Sequence, residues 1–394
     1  MVNQKNYGLG TARSAIRELF EYGKKQAAIL GAENVFDFSL GNPSTPAPKA
    51  VDEAIADIVR SCDPIAVHGY TSAPGSIETR TAIADSINRR FGMNAKADEI
   101  YITCGAAAAL CCTLSALTFS SDAEIIAIAP FFPEYRVFTE GAGAKFKVVD
   151  ADTVGFQIDF EKLEAAMTEN TAGVIINSPN NPSGVVYSEE TIKKLSELLD
   201  RKAKEIGHPI YIICDEPYRE LVYGDIDVPY VPKYYDNTIV CYSYSKSLSL
   251  PGERIGYIYV PSSCEDSKSV YAAAAGAGRA MGYVCAPSLL QMVLARCIDV
   301  QPDLTDYEIN RKLLLDNLTS YGYECAAPDG AFYLFLKAPN GDGNVFSEMA
   351  KKKNVLVVPG ESFGCKNYVR ISYCVATETI RGALPYFKEL IEEC

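Results

Sequence analysis

From about residue 76 to residue 260, short apolar runs rich in β-branched residues alternate with longer stretches whose apolar positions recur every three or four residues. Short apolar runs fit strands buried on both faces, and the intervening spacing fits helices laid against a sheet. The pattern therefore predicts an α/β layer around a mostly parallel sheet. The runs fall at 99–103, 124–129, 146–149, 173–177, 210–214, 238–243 and 256–260, seven candidate strands of one sheet. Two helices are marked at both ends, one between Ser76 and Gly92 and one between Ser188 and Gly207. In each, a hydroxyl can accept the first free N–H groups and a glycine can stop the last turn.

The texture differs towards the chain ends. Residues 13–30 fit a helix closed by Gly31 and residues 35–39 a short strand, while Asn42-Pro43-Ser44-Thr45-Pro46-Ala47-Pro48 reads as an extended crossover. After about Ala286 come a long helical stretch, an aromatic strand at 331–336, a strand at 355–359 and a closing helix from Thr377. The expected organisation has residues 1–45 as an N-terminal arm and part of a small domain, 46–285 as a large domain, and 286–394 as a small C-terminal domain. Its fold class is α/β, a three-layer sandwich with a mostly parallel seven-stranded sheet, plus a smaller α+β domain built from both chain ends.

Composition narrows the function. Of 394 residues 48% are hydrophobic and 22% charged, enough apolar content for a large core. Lys and Arg number 37 against 50 Asp and Glu, a net charge of −13, which argues against nucleic acid or an anionic membrane surface as partner. With only His68 and His208 in the chain, an HExxH zinc helix is impossible and no metal site is expected. The 13 cysteines are odd in number, Cys111 and Cys112 are adjacent, and Cys214 ends an apolar run where a thiol behaves as a small hydrophobe. The opening MVNQKNYGLGTARS lacks a basic-then-apolar signal pattern, and no run of about 18 apolar residues occurs, so a reducing cytoplasm is the expected location.

In an open parallel sheet, ligands bind beyond the carboxyl ends of the strands. The first run leads into Cys104-Gly105-Ala106-Ala107, small residues opening a helix. Its free N–H groups can hold a phosphate, although close helix packing would use the same residues. The fifth run leads into Asp215-Glu216-Pro217-Tyr218. A nucleotide hydrolase would need GxxxxGK[ST], which is missing, and Gly8-Leu9-Gly10, Gly141-Ala142-Gly143 and Gly276-Ala277-Gly278 lack the third glycine of a dinucleotide site. The sixth run ends in Ser243-Tyr244-Ser245-Lys246-Ser247, followed by Arg254. A lysine at an apolar strand end is partly desolvated, which lowers its pKa and frees the amine to form an imine with an aldehyde. Lys268 has the same Ser-Lys-Ser triplet in a polar loop and none of that environment. Phosphate cradle, carboxylate, amine, hydroxyls at Ser243 and Ser245, and the Arg254 guanidinium together suit one ligand, pyridoxal 5'-phosphate.

With those pieces in this order, the sequence resembles the class I and II aminotransferases of fold-type-I pyridoxal phosphate enzymes over nearly its whole length. The resemblance rests on Ser178-Pro179-Asn180-Asn181-Pro182-Ser183-Gly184, on Asp215 through Tyr218, and on Ser243 through Lys246 with Arg254. It implies that residues 46–285 form the cofactor-binding domain. There Lys246 would hold the cofactor and carry protons, and Asp215 would keep the ring nitrogen protonated. Asn181 and Tyr218 would bond the ring oxygen, and Phe132 would stack on the ring. The phosphate would lie on Gly105, Ala106, Ala107, Ser243, Ser245 and Arg254, with Tyr70 reaching in from the second subunit of a homodimer. Relatives commonly carry a hydroxyl or amide where this chain has only alanines, which would throw more of the contact onto backbone and Arg254. Arg370 would bind the substrate α-carboxylate and Gly41 would add a backbone contact; His68 is either a structural hydrogen-bonding group or a substrate contact.

The implied reaction is transfer of an amino group from an L-amino acid to a 2-oxo acid in two half-reactions. An aspartate-type donor is favoured, with Arg279 as the candidate second cation for the distal carboxylate and Lys145 and Arg136 as surface charge. Neutral or aromatic donors are expected if Arg279 is remote. Carbon–sulfur β-lyases keep every cofactor-binding residue and stay open as an alternative. A cofactor-sensing regulator is disfavoured, because about 40 residues before the crossover are too few for a helix-turn-helix module with its linker.

Overall fold

The structure, a computed structural model, describes residues 1–12, 14–150 and 155–394. After a short first strand, β1 (Phe36–Asp37), the chain forms β2 (Ile100–Thr103), β3 (Glu124–Ile128), β4 (Lys145–Val149), β5 (Thr171–Asn177), β6 (Tyr211–Asp215), β7 (Thr238–Ser243) and β8 (Gly256–Tyr259). Strands β2 to β8 make one sheet in the order β2-β8-β7-β6-β5-β3-β4. Every neighbouring pair is parallel except β8 with β2 and β8 with β7, so β8 alone runs against the rest. The carboxyl ends of the other six strands and the amino end of β8 therefore open on a single edge, which is how Arg254, just before β8, comes to lie beside Lys246, just after β7.

Successive residues of the central strands face opposite layers. Ile126, Val174, Ile212 and Val240 are buried in one, with the helices Ile77–Phe91 and Glu189–Ile206. Ile125, Ile175, Ile213 and Ile239 are buried in the other, against the helices Ala106–Leu117 and Ser267–Ala280. Full burial of one such side chain contributes about 1.5–3 kcal/mol, so this two-sided core holds the strand ends in place. Both marked helices end as read: Ser76 accepts from the Thr79 N–H before Gly92 closes the helix, and Ser188 accepts from Thr191 before Gly207 does.

The chain ends build further layers. Strands β9 (Tyr333–Lys337), β11 (Val358–Pro359) and β12 (Tyr368–Ser372) form an antiparallel sheet in the order β11-β12-β9, and β10 (Val355–Leu356) pairs in parallel with β1. The single strand expected at 355–359 is thus two, because the chain changes partner at Val357. Phe36 and Phe38 share a core with Leu334, Leu336, Val369 and Phe387.

The long helical stretch expected after Ala286 is broken into Ser288–Cys297 and Thr305–Tyr321, with Pro302 in the break. Leu290, Val293 and Leu294 of the first piece pack into the core of the large sheet, although they follow residue 285. The N-terminal helix is Ala15–Leu30, capped by Ser14; its expected start at Arg13 lies outside the described residues. A further helix, Gln4–Thr11, exposes all its side chains and had no periodicity to announce it.

Candidate active site

The sheet edge borders a cavity of about 290 Å³. At one end Gly105 adopts φ +84° and turns the chain from β2 into the helix Ala106–Leu117, whose first residues, Ala106 and Ala107, line the cavity. A Cβ on Gly105 would stand 2.7 Å from a guanidinium nitrogen of Arg254 and push it aside, and the positive φ strains any other residue there, so glycine suits the arginine's approach to the helix start. Arg254 is steadied by a 2.8 Å bond to the Pro251 carbonyl, and the hydroxyls of Ser243 and Ser245 lie 2.7 Å apart on the same wall. Free helix N–H groups, two hydroxyls and a guanidinium form an anion site with no carboxylate in it.

Lys246 lies in the short helix Tyr244–Ser247 that follows β7. Its half-buried amine donates to the Gly41 carbonyl at 2.7 Å and lies 5.3 Å from the centroid of the Phe332 ring. Burial lowers its pKa to about 8; the nearby Cys374 thiol opposes this, while Arg370 and Arg254 add to it. At the end of β6, Asp215 is fully enclosed. Oδ2 accepts from the Tyr135 hydroxyl at 2.5 Å, and Oδ1 is buried with no partner. Burial pushes this carboxyl up to about 7, against the pull of the Tyr135 bond and helped by the charge of Glu216.

Arg370, on β12, is buried. It donates to Asn181 Oδ1 at 3.0 Å and to the Ser39 carbonyl at 2.6 Å, and its Nε has no partner. The guanidinium lies between the rings of Tyr333 and Phe363, 4.7 and 5.1 Å from their centroids. Burial lowers its pKa, and among the described residues the groups that oppose this are the Tyr333 and Tyr218 hydroxyls and the Cys374 thiol, not a carboxylate. Asn181 is held through its N–H by Asn177 Oδ1 at 2.7 Å, and Asn177 also donates to the Asp215 carbonyl at 2.8 Å. The site thus offers three cations, one buried carboxylate with a free oxygen, and an open anion cradle.

The family model for aminotransferase class I and II matches residues 33–386. The chain belongs to the class I and II aminotransferases. This family depends on pyridoxal phosphate. A solved aminotransferase from Eubacterium rectale is 58% identical, covers 100% of this chain and 99% of its own, and superposes with a TM-score of 0.98. The probable aspartate aminotransferase of Methanocaldococcus jannaschii is 30% identical over 388 residues, 96% of this chain and 97% of that protein. The aromatic-amino-acid aminotransferase 2 of Thermococcus litoralis is 27% identical over 398 residues, 96% of each chain.

As an aminotransferase, the chain gathers most of the expected residues at one place. Gly41, Ala106, Ala107, Phe132, Asn181 and Asp215 line the cavity, as do Tyr218, Ser243, Ser245, Lys246, Arg254 and Arg370, with Gly105 just behind the helix start. Three residues lie elsewhere. Tyr70 is 92% exposed, and His68 and Arg279 are also exposed and outside the cavity of their own chain. Lys145 pairs with Asp122, and Arg136 lies over the Phe146 ring beside Glu140. Among the described residues, no group of three or more His, Cys, Asp or Glu is placed to hold a metal, and no helix is long and apolar enough to cross a membrane.

Three contributors escaped the sequence reading. Asn177 is the last residue of β5, so the strand-end rule that singled out Asp215 applied to it equally. Tyr135 and Tyr333 carried no comparable signal, since one lies in a helix and the other in an aromatic strand of the small sheet.

Proposed function

We propose that this cavity seats pyridoxal phosphate and moves an amino group from an L-amino acid to a 2-oxo acid by a ping-pong mechanism. The observation that carries the reading is the pairing of a buried, partnerless Asp215 Oδ1 with a lysine amine of lowered pKa across one cavity. The cofactor's fit follows from these groups. Asp215 Oδ1 suits a protonated ring nitrogen, the helix start with Ser243, Ser245 and Arg254 suits its phosphate, and Lys246 suits its aldehyde. Tyr218 and Asn181 would bond the ring oxygen, and Phe132 would cover a ring face. When bound, the cofactor supplies an electron sink for the bond broken at the substrate Cα.

The protein's own groups do the rest. Arg370 binds the substrate carboxylate, a planar fork replacing its carbonyl partner, and so fixes how the Cα–H bond is presented. The Lys246 amine, released from Gly41, takes and returns the proton. Because the reactive amine is the unprotonated form, loading of the cofactor-free protein should speed up as pH rises through about 8 and then level off. A stopped-flow pH series tests this; a rate still climbing towards the ordinary lysine value of about 10.4 would deny Lys246 its desolvated setting.

We also propose a homodimer in which the exposed Tyr70 reaches the phosphate site of the partner subunit, and a reducing cytoplasm, which the thirteen free thiols suit. The donor is proposed to be of aspartate type, supported by the name of the Methanocaldococcus relative. Exposed on its own subunit, Arg279 would then have to serve a neighbour's site. A second reading, neutral or aromatic donors, is favoured by the apolar part of the wall, Ile16, Leu40, Leu110, Phe132 and Pro251.

Adding amino acids singly and following conversion of the cofactor to its amine form tests the function. Pyruvate and ammonia release without a keto acid acceptor would point instead to a β-lyase. Arg279→Ala is expected to lower kcat/KM for aspartate about tenfold or more and to leave alanine within twofold, the worth of one charge-assisted bond. Equal losses would assign the donor to the uncharged class.

A further inference from the structure

Tyr333 opens β9 with its side chain buried in the cavity wall. Its hydroxyl lies 2.9 Å from that of Tyr218, and the Arg370 guanidinium sits 4.7 Å from its ring centroid. The second contact follows from register. Tyr333 pairs with Ser372 and Phe335 with Arg370, so Tyr333 and Arg370 share a face as diagonal neighbours. A Cβ on Gly41 would lie 1.9 Å from the Tyr333 oxygen, so the segment whose carbonyl holds Lys246 also closes on this hydroxyl.

A tyrosine hydroxyl has one proton to donate and lone pairs with which to accept. When the Tyr218 proton points at an anionic ring oxygen in the cavity, its contact with Tyr333 can run in one direction only: Tyr333 donates and Tyr218 accepts. Burial holds the Tyr333 phenol up at about 12, so it keeps this proton through the neutral range. A donor bonded behind another donor polarises it and strengthens it. We propose that Tyr333 is a positioning residue with two separable tasks: its hydroxyl fixes the direction of the Tyr218 proton, and its ring face braces Arg370 for a carboxylate. This inference rests on the seating of pyridoxal phosphate against Tyr218 and Lys246.

The two tasks have different readouts. The pH midpoint of the lysine–cofactor chromophore in the holoenzyme reports how well the ring oxygen's charge is stabilised. Tyr333→Phe leaves a weaker donor at Tyr218. More charge then stays on the ring oxygen, and the neighbouring nitrogen holds its proton more tightly. The midpoint is expected to rise by roughly 0.3–0.7 pH unit, with KM for the amino donor within twofold. Tyr333→Leu also removes the ring and is expected to raise KM about fivefold. In a Tyr218→Phe background, Tyr333→Phe is expected to move the midpoint no further.

An unmoved midpoint in Tyr333→Phe, or an equal shift with and without the Tyr218 hydroxyl, overturns the hydroxyl's task. Equal KM values in the Phe and Leu variants overturn the ring's task. A wild-type protein that shows no chromophore at Lys246 overturns the cofactor seating itself, and is thereby distinguished from failure of the Tyr333 inference.

Discussion

Lys246→Ala is expected to cut amino transfer by about four orders of magnitude or more while leaving the cofactor bound without a covalent link. The groups proposed to hold phosphate and ring lie on other residues: the start of the helix Ala106–Leu117, Ser243, Arg254 and Asp215. Losing the amine therefore removes the proton carrier and the covalent anchor but not the seat. The enclosure that lowers the lysine's pKa to about 8 also keeps bulk water from serving as an effective replacement base. Spectroscopy of the variant, assayed beside borohydride reduction and peptide mapping of the wild type, checks both halves. Turnover above a hundredth of wild type, or a reduced adduct mapping away from residue 246, would remove this lysine from the chemistry.

Asp215→Asn is expected to lower kcat about a thousandfold and to weaken cofactor retention. A free carboxylate oxygen sealed from water is costly unless a cation meets it. Without such a partner, burial carries the Asp215 carboxyl up to about 7. A protonated ring nitrogen at Oδ1 would pull it back down, so that aspartate and ring form a charged pair at neutral pH. Asparagine keeps the shape and, through Tyr135, one of the contacts, but it cannot balance the ring's proton; breaking a buried pair at one partner costs about 3–5 kcal/mol. Single-turnover kinetics on the reloaded variant would measure this, and a loss smaller than tenfold would mean that the carboxylate only fills space.

The parts of this molecule readable from its sequence are those written locally. Ser76 with Gly92 and Ser188 with Gly207 marked two helices because capping needs only residues a turn apart. Asp215, Lys246 and Gly105 stood out because a buried parallel strand is an apolar run and its end is abrupt. Tyr135 and Tyr333 did not stand out, because each matters through a partner far along the chain: Asp215, 80 residues on, for the first, and Tyr218, 115 residues back, for the second. The division of 355–359 between β10 and β11 was hidden for the same reason, since an unbroken apolar run does not show that its two halves pair with different strands. Arg279 could be named but not placed: nothing local in the sequence shows that it is exposed and outside the cavity of its own chain.

The Gly41 carbonyl that holds Lys246 comes from 205 residues earlier, and Arg370, whose positive charge helps lower the amine's pKa, comes 124 residues later. Contacts so distant along a chain form late, after their loops have closed. On a ribosome, a nascent polypeptide that has not yet reached β12 carries at position 246 a lysine without its full enclosure, with a smaller share of free amine at neutral pH than the folded protein has. Completion of the fold raises that share, so the half-made product is less reactive towards stray aldehydes than the finished one.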